Sequence, residues 1–148
     1  MIRIAIADHQ QAVPLDRSAI RRAVRSVLRE AGVRRAAVSV AVVDDPTIHA
    51  LNRRHLGHDY PTDVLSFLFE WEADELEGEI VVGAETALRA AVEFDWPAQA
   101  ELLLYVIHGA LHLVGHDDRT PRQRRAMRQR EAQCLAEFGL APKQREAP

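Results

Sequence analysis

Residues 98–118 read AQAELLLYVIHGALHLVGHDD, and this stretch decides how the rest of the chain has to fold. Residues 98–114 have the spacing of a helix that is apolar nearly all round, so the helix belongs inside the molecule. Buried helices need partners on every side, and one helix cannot supply them. At its end His108 and His112 stand four apart and project from one face. Gly115 then breaks the helix, and His116, Asp117 and Asp118 follow at once.

The partners of this helix are sought upstream and downstream. Residues 3–7 alternate weakly, as a first strand does. Asp16 is placed to cap a helix whose apolar residues Ile20, Val24, Val27, Leu28 and Ala31 recur at helical spacing, and Gly32 ends it. Arg17, Arg21, Arg25 and Arg29 line one flank of that helix. Residues 37–43 are valine-rich and read as a buried strand. Asp45 and Pro46 have the chemistry of a helix start, Asp as cap and Pro in the first turn, for a short helix to about residue 55 that stops at Gly57. Residues 63–69 (DVLSFLF) read as a second central strand. The acidic stretch after them reads as a loop, and residues 79–82 as another short strand. Residues 83–94 are helical, and Asp95-Trp96-Pro97 interrupts before the buried helix begins. Pro121 opens a last amphipathic helix to about residue 138, with Gly139 after it. The order is β-α-β-α-β-β-α-α-α. The expected fold is one α+β domain over residues 1–141: a small mixed sheet, about five helices packed on it, and a metal site at the end of the buried helix. Residues 142–148 read as a polar tail.

The chain has 148 residues and is 47% hydrophobic, which suits one compact domain with a real core. The apolar run 102–107 is far too short to span a bilayer, so no membrane role is expected. The first ten residues lack the pattern of a secretory signal. A lone cysteine, Cys134, excludes an internal disulfide. These features together fit a cytoplasmic protein. The net charge of −3 conceals two opposed clusters: six acids within residues 70–79 and six arginines within residues 119–130. The basic segment suits phosphates. Eighteen arginines against one lysine also fit a general composition bias, in which such arginines are simply solvated.

Two imidazoles at i and i+4 clamp a metal in the HExxH helices of zinc enzymes. Burying both without partners is costly, and a shared metal satisfies both. The competing reading is structural, two histidines packed and bonded to backbone. The glycine turn with three more donors behind it favours the metal. The third ligand is open at this point among His116, Asp117 and Asp118. Gly109 stands where a zinc peptidase carries its general-base glutamate, which argues against peptide hydrolysis.

The residues His108, Gly109, Leu111, His112, Leu113, Gly115 and Asp117 resemble the HGxLHLxGxDH signature of the YbeY family, bacterial metal-dependent endoribonucleases and rRNA maturation factors. Leu51-Asn52, Gly57, Asp59 and Pro61-Thr62-Asp63-Val64-Leu65-Ser66-Phe67 resemble the family's LN…G.D.PTDVLSF, and Gly78-Glu79-Ile80 its GDI. The resemblance spans residues 38–138 in order and spacing. It implies an α+β fold, one Zn²⁺ per chain held by the signature's three metal ligands, and single-strand-specific cleavage in maturing the 3′ end of small-subunit ribosomal RNA and in ribosome quality control. It also implies partners: ribosomal RNA, ribosomal proteins or an assembly GTPase.

The chain departs from the family pattern twice. The third histidine of the signature falls at position 118, where this sequence has Asp. Carboxylates ligate zinc at similar distance, so His108, His112 and Asp118 are the expected ligand set and His116 the rival third ligand. Nickel, iron or manganese also suit such donors. The family arginine before Gly57 falls at Leu56, a side chain that cannot contact a phosphate; Arg53, Arg54 and His58 are the nearest substitutes. This second departure favours an alternative, a non-catalytic metal-containing factor in ribosome assembly. Asp117 reads as a turn residue or one that orients a ligand. Thr62, Asp63 and Ser66 read as turn and strand-start residues, with lining the cleft as the functional alternative. Arg119, Arg122 and Arg125 are the candidate RNA contacts, Arg122 and Arg125 sharing a helix face, while Arg124 and Arg128 are expected to point elsewhere.

Overall fold

The computed structural model describes residues 1–60 and 62–142. Pro61 and most of the polar tail expected over 142–148 lie outside the described residues. The elements are β1 (Ile2–His9), α1 (Arg17–Glu30), β2 (Arg35–Val43), α2 (Asp45–Leu56), β3 (Val64–Glu72), β4 (Glu75–Gly83), α3 (Ala84–Phe94), α4 (Ala98–Leu113) and α5 (Pro121–Ala136). This is the expected order, and the fold is the expected small α+β domain with five helices and a mixed sheet of four strands.

The sheet runs β1-β2-β4-β3. β1, β2 and β4 are parallel, and β3 returns antiparallel beside β4. Parallel neighbours need long crossovers, which α1 supplies between β1 and β2. β2 alternates as a half-covered strand does, with Ala36, Val38, Val40 and Val42 buried towards the helices. They join Leu76, Ile80 and Val82 of β4 and the apolar faces of α1, α4 and α5 in the main core. On the opposite face α2 covers one end of the sheet, where Ile48 packs with Val43, Leu65 and Val81.

α4 is the centre of this arrangement. Twelve of its sixteen residues are buried, Leu102 to Ile107 without interruption. Each fully buried Leu, Ile or Val contributes about 1.5–3 kcal/mol, so this helix carries much of the fold. It lies close on the sheet because each side offers a glycine to a side chain of the other. A Cβ on Gly109 would meet Ile80 Cγ2 at 2.6 Å, and one on Gly78 would meet Leu113 Cδ2 at 3.0 Å.

Three sequence expectations are corrected. First, residues 63–69 are not a central strand, because β3 is an edge strand. Its run is apolar because its start is covered twice: Val64 faces the main core, while Leu65 and Phe67 face α2. Second, the acidic stretch is not a loop. Glu70 and Glu72 belong to β3, Glu75, Glu77 and Glu79 to β4, and only Ala73 and Asp74 form the turn. The acids alternate with Trp71, Leu76, Gly78 and Ile80, the period of strands with one wet face. Third, the cap of α2 is Asp44, whose Oδ1 accepts from the Thr47 N–H at 3.0 Å and its hydroxyl at 2.6 Å. Those bonds hold the Asp44 carboxyl below the usual carboxylate range, first through the hydroxyl and then the backbone N–H. Asp45 sits one step inside and ties α2 to α3 through Arg89, at 2.9 Å.

Candidate metal centre

The site forms where α4 ends. Val114 closes the helix, Gly115 adopts φ 95°, and the chain doubles back along the last turn of α4. The His116 N–H donates to the Leu111 carbonyl, which fixes the turn. Asp117 then accepts the Asp118 N–H on Oδ1 at 2.8 Å and pairs with Arg119 through Oδ2 at 3.4 Å. It is a turn residue that aims its neighbour. α5 follows at once, its start fixed by Thr120 and Gln123 in a reciprocal capping box behind Pro121.

These turns bring His108, His112 and Asp118 together, the one such group among the described residues. The two Nε2 atoms are 3.1 Å apart, and Asp118 Oδ2 lies 3.5 Å from His108 Nε2 and 3.4 Å from His112 Nε2. A tetrahedral zinc with ligands at about 2.0–2.1 Å sets its donors about 3.3–3.4 Å apart. The triangle therefore fits such an ion without rearrangement. His116 is not in the group; its side chain lies near Glu30, whose charge it affects.

The donor chemistry also fits. Glu131 of α5 is 2% exposed and places Oε2 2.5 Å from His108 Nδ1. A carboxylate there accepts a hydrogen bond from Nδ1–H, which keeps the ring proton on Nδ1 and leaves Nε2 bare, the form that binds metal. Burial works against a charged His108, yet the Glu131 hydrogen bond and charge, with Asp63 and Asp118, hold its pKa above the usual imidazole range. Glu131 in turn accepts from Arg128 at 3.5 Å, and Arg124 donates to the Asp118 carbonyl at 3.2 Å. Arg124 and Arg128 therefore face the site, against the expectation that they point elsewhere. Arg130 is tied to Glu30. Arg119, Arg122 and Arg125 are exposed at the start of α5.

Sequence reasoning missed Glu131. Its signal was present, because Glu131 falls four residues after Met127 and three before Cys134, on the buried stripe of α5. An acid on an apolar stripe asks for a partner. Asp63 and Ser66 do more than start a strand. Asp63 accepts the Val64 N–H at 2.8 Å, and its charge reaches His108. The Ser66 hydroxyl donates to the Gly109 carbonyl at 2.9 Å, which ties the β3 edge to the helix beside His108. Thr62 contacts the Asp63 carboxylate at 3.4 Å. Leu56 is 53% exposed on the last turn of α2, so no buried role explains it. A cavity of about 480 Å³ opens at the opposite end of α4, among Ile20, Leu102, Leu103 and Phe138. None of the three donors lines it, and chemistry rather than volume marks the site.

Comparison with known proteins gives the family and the fold. The family described as Endoribonuclease YbeY matches residues 5–139. A Rhodopirellula baltica protein named Endoribonuclease YbeY is 50% identical over 111 residues, which cover 74% of this chain and 57% of that protein. Proteins of the same name from Syntrophus aciditrophicus and Salinibacter ruber are 37% and 39% identical, over 89% and 86% of this chain and 87% of each relative. A Thermotoga maritima protein solved in solution superposes with a TM-score of 0.57 at 27% identity, over 100% of this chain and 98% of that one.

Proposed function

Because the chain belongs to the YbeY family, we propose that it is a metal-dependent endoribonuclease that cuts single-stranded RNA, with His108, His112 and Asp118 as ligands of one zinc ion. The observation that carries this reading is the three-donor triangle, with edges of 3.1, 3.4 and 3.5 Å, behind which Glu131 sets the tautomer of His108. Its RNA substrate is ribosomal RNA, at the 3′ end of the small-subunit species, and it serves ribosome quality control in the cytoplasm. No helix among the described residues is long and apolar enough to cross a membrane.

His108, His112 and Asp118 would hold a divalent ion, which when bound would supply positive charge against a phosphodiester and lower the pKa of water. The chain's own residues do the rest. Glu131 keeps the proton of His108 on Nδ1. Arg124 holds the Asp118 backbone from α5, and Asp117 holds its N–H. Arg119, Arg122 and Arg125 lie exposed just beyond the donors, where they bind RNA backbone without reading sequence. Gly109 presses on Ile80 rather than facing the donors, so the helix has no room for a peptidase glutamate there.

The exposed Leu56, in the place of the family arginine, favours a second reading: a metal-containing ribosome-assembly factor that binds RNA or a ribosomal protein without cutting. One experiment separates the two. The protein is purified free of other nucleases, its metal is quantified, and cleavage of ribosomal RNA fragments is compared with His112→Ala and Asp118→Ala. Loss of metal and of cleavage in both variants is expected. Stoichiometric metal in either variant defeats the ligand assignment. Metal loss without any wild-type cleavage supports the assembly factor.

A further inference from the structure

The rim between α2 and β3 carries aromatic rings. His58 and Tyr60 stack with centroids 5.4 Å apart and planes 8° from parallel. His55, one turn earlier, meets Phe67 of β3 edge-on at 5.2 Å. Tyr60 is 53% exposed, like its neighbour Leu56. Phe67 is half-buried against the Ile48 cluster, but His58 and Tyr60 are exposed and are not core.

The rim is also pinned. Gly57 turns the chain with φ 72°, and the His58 N–H donates to the Asn52 carbonyl at 3.3 Å. The buried Asn52 donates from Nδ2 to the Tyr60 carbonyl at 2.9 Å, and His49 holds Asp59 at 2.8 Å. The rings are thus held before any ligand arrives, which lowers the ordering cost of binding. Three residues beyond Tyr60, Asp63 begins the segment that packs on α4 beside His108, through the Ser66 bond to the Gly109 carbonyl. Three residues of chain span at most about 10–11 Å, so the rim lies near the end of α4 that carries the three donors.

Charge selects this rim over the other exposed rings. Arg53 and Arg54 are exposed on the last turn of α2, and the acid between the stacked rings, Asp59, is paired with His49 at 2.8 Å. Phe69 and Trp71 are exposed too, but they sit in a hairpin with Glu70, Glu72, Glu75 and Glu77, where a phosphate backbone is repelled. We infer that the His58–Tyr60 stack is a nucleobase platform, which receives an unpaired base of single-stranded RNA next to the phosphate held at the three donors. The inference rests on the endoribonuclease reading and names the contact by which that site takes its substrate.

The test measures binding of a short fluorescein-labelled single-stranded RNA to the purified, metal-containing protein by anisotropy, at low and moderate salt. One stacked base is worth roughly 1–3 kcal/mol, so Tyr60→Ala should weaken binding roughly 5- to 150-fold. Tyr60→Phe, which keeps the ring, should restore it. The salt slope should stay as in wild type for Tyr60→Ala and become shallower for Arg53→Ala, which removes a phosphate contact. An abasic nucleotide scanned along the RNA should reproduce the loss at one position, where Tyr60→Ala then adds nothing. Wild-type affinity in Tyr60→Ala overturns the platform while leaving the endoribonuclease reading intact, as does a Tyr60→Phe variant as weak as Tyr60→Ala. A wild-type protein that binds no single-stranded RNA overturns both. If Tyr60→Ala loses a protein partner but keeps its RNA, the rim is a protein-docking patch and the inference is wrong.

Discussion

Replacing Glu131 tests the proposed metal centre without touching a proposed ligand. Its side chain is 3% exposed, meets His108 Nδ1 at 2.5 Å and accepts from Arg128 at 3.5 Å. Glu131→Ala leaves the Nδ1 proton without its acceptor and lets the ring turn or change tautomer. Loss of such an outer partner costs about 10- to 100-fold in metal affinity, or roughly 1.4–2.7 kcal/mol. Glu131→Gln keeps an oxygen acceptor but removes the charge, so its loss should be the smaller. The pH dependence carries a second signature. Metal takes Nε2 only when the ring is neutral, and Glu131 holds the pKa of His108 above its ordinary value of 6.5. Proton competition in the wild type should therefore begin at a higher pH than for an ordinary histidine. In Glu131→Gln its onset should move to lower pH. In the metal-free chain the sign is reversed: the raised pKa gives stability that is full below 6.5 and is lost as pH rises through the raised value. The assay is competitive zinc titration between pH 6 and pH 8, with circular dichroism melts of the metal-free proteins to confirm folding. Wild-type affinity in folded Glu131→Ala would refute the assignment of Glu131 as the residue that orients His108.

Three further outcomes follow from the geometry. Gly109→Ala should destabilise the protein in urea titrations: the clash with buried Ile80 costs about 1–3 kcal/mol, against at most about 1 kcal/mol gained in helix propensity. A more stable variant would show that the helix has slack over the sheet. Asp44→Ala should lower the urea midpoint at pH 7 but hardly at pH 2. The depressed carboxyl stabilises the fold above its unfolded pKa and loses that effect as pH falls through the folded one, so an equal loss at both pH values would remove the cap from the account. Cys134 should resist a thiol-specific disulfide reagent in the native protein at pH 8 and react fully in urea, because burial pushes its thiol pKa up; prompt native labelling would mean that α5 opens readily.

The local features of this protein could be read directly from its residues. The helical spacing of residues 98–114, the Asp16 cap, the breaks at Gly32, Gly57, Gly115 and Gly139, and the order of the nine elements all depend on contacts within a few residues. The pairing of His108 with His112 is of the same kind, since four residues span one helical turn. The acidic hairpin carries a local signal too: its charge alone suggests a loop, but its period of two is that of paired strands. Other features depend on elements far apart in sequence. β3 reads as central because its start is apolar on both faces, but it becomes an edge strand only because β4 inserts beside β2. Glu131 stands 23 residues from the His108 it touches, and Ser66 stands 43 from Gly109. No periodicity carries such pairings. They exist because α4 lies at close approach to the sheet, through Gly78 and Gly109, and because α5 folds back over the end of α4. The cluster of His108, His112 and Asp118 was therefore legible in the chain, while the carboxylate behind His108 and the strand edge beside it came from packing.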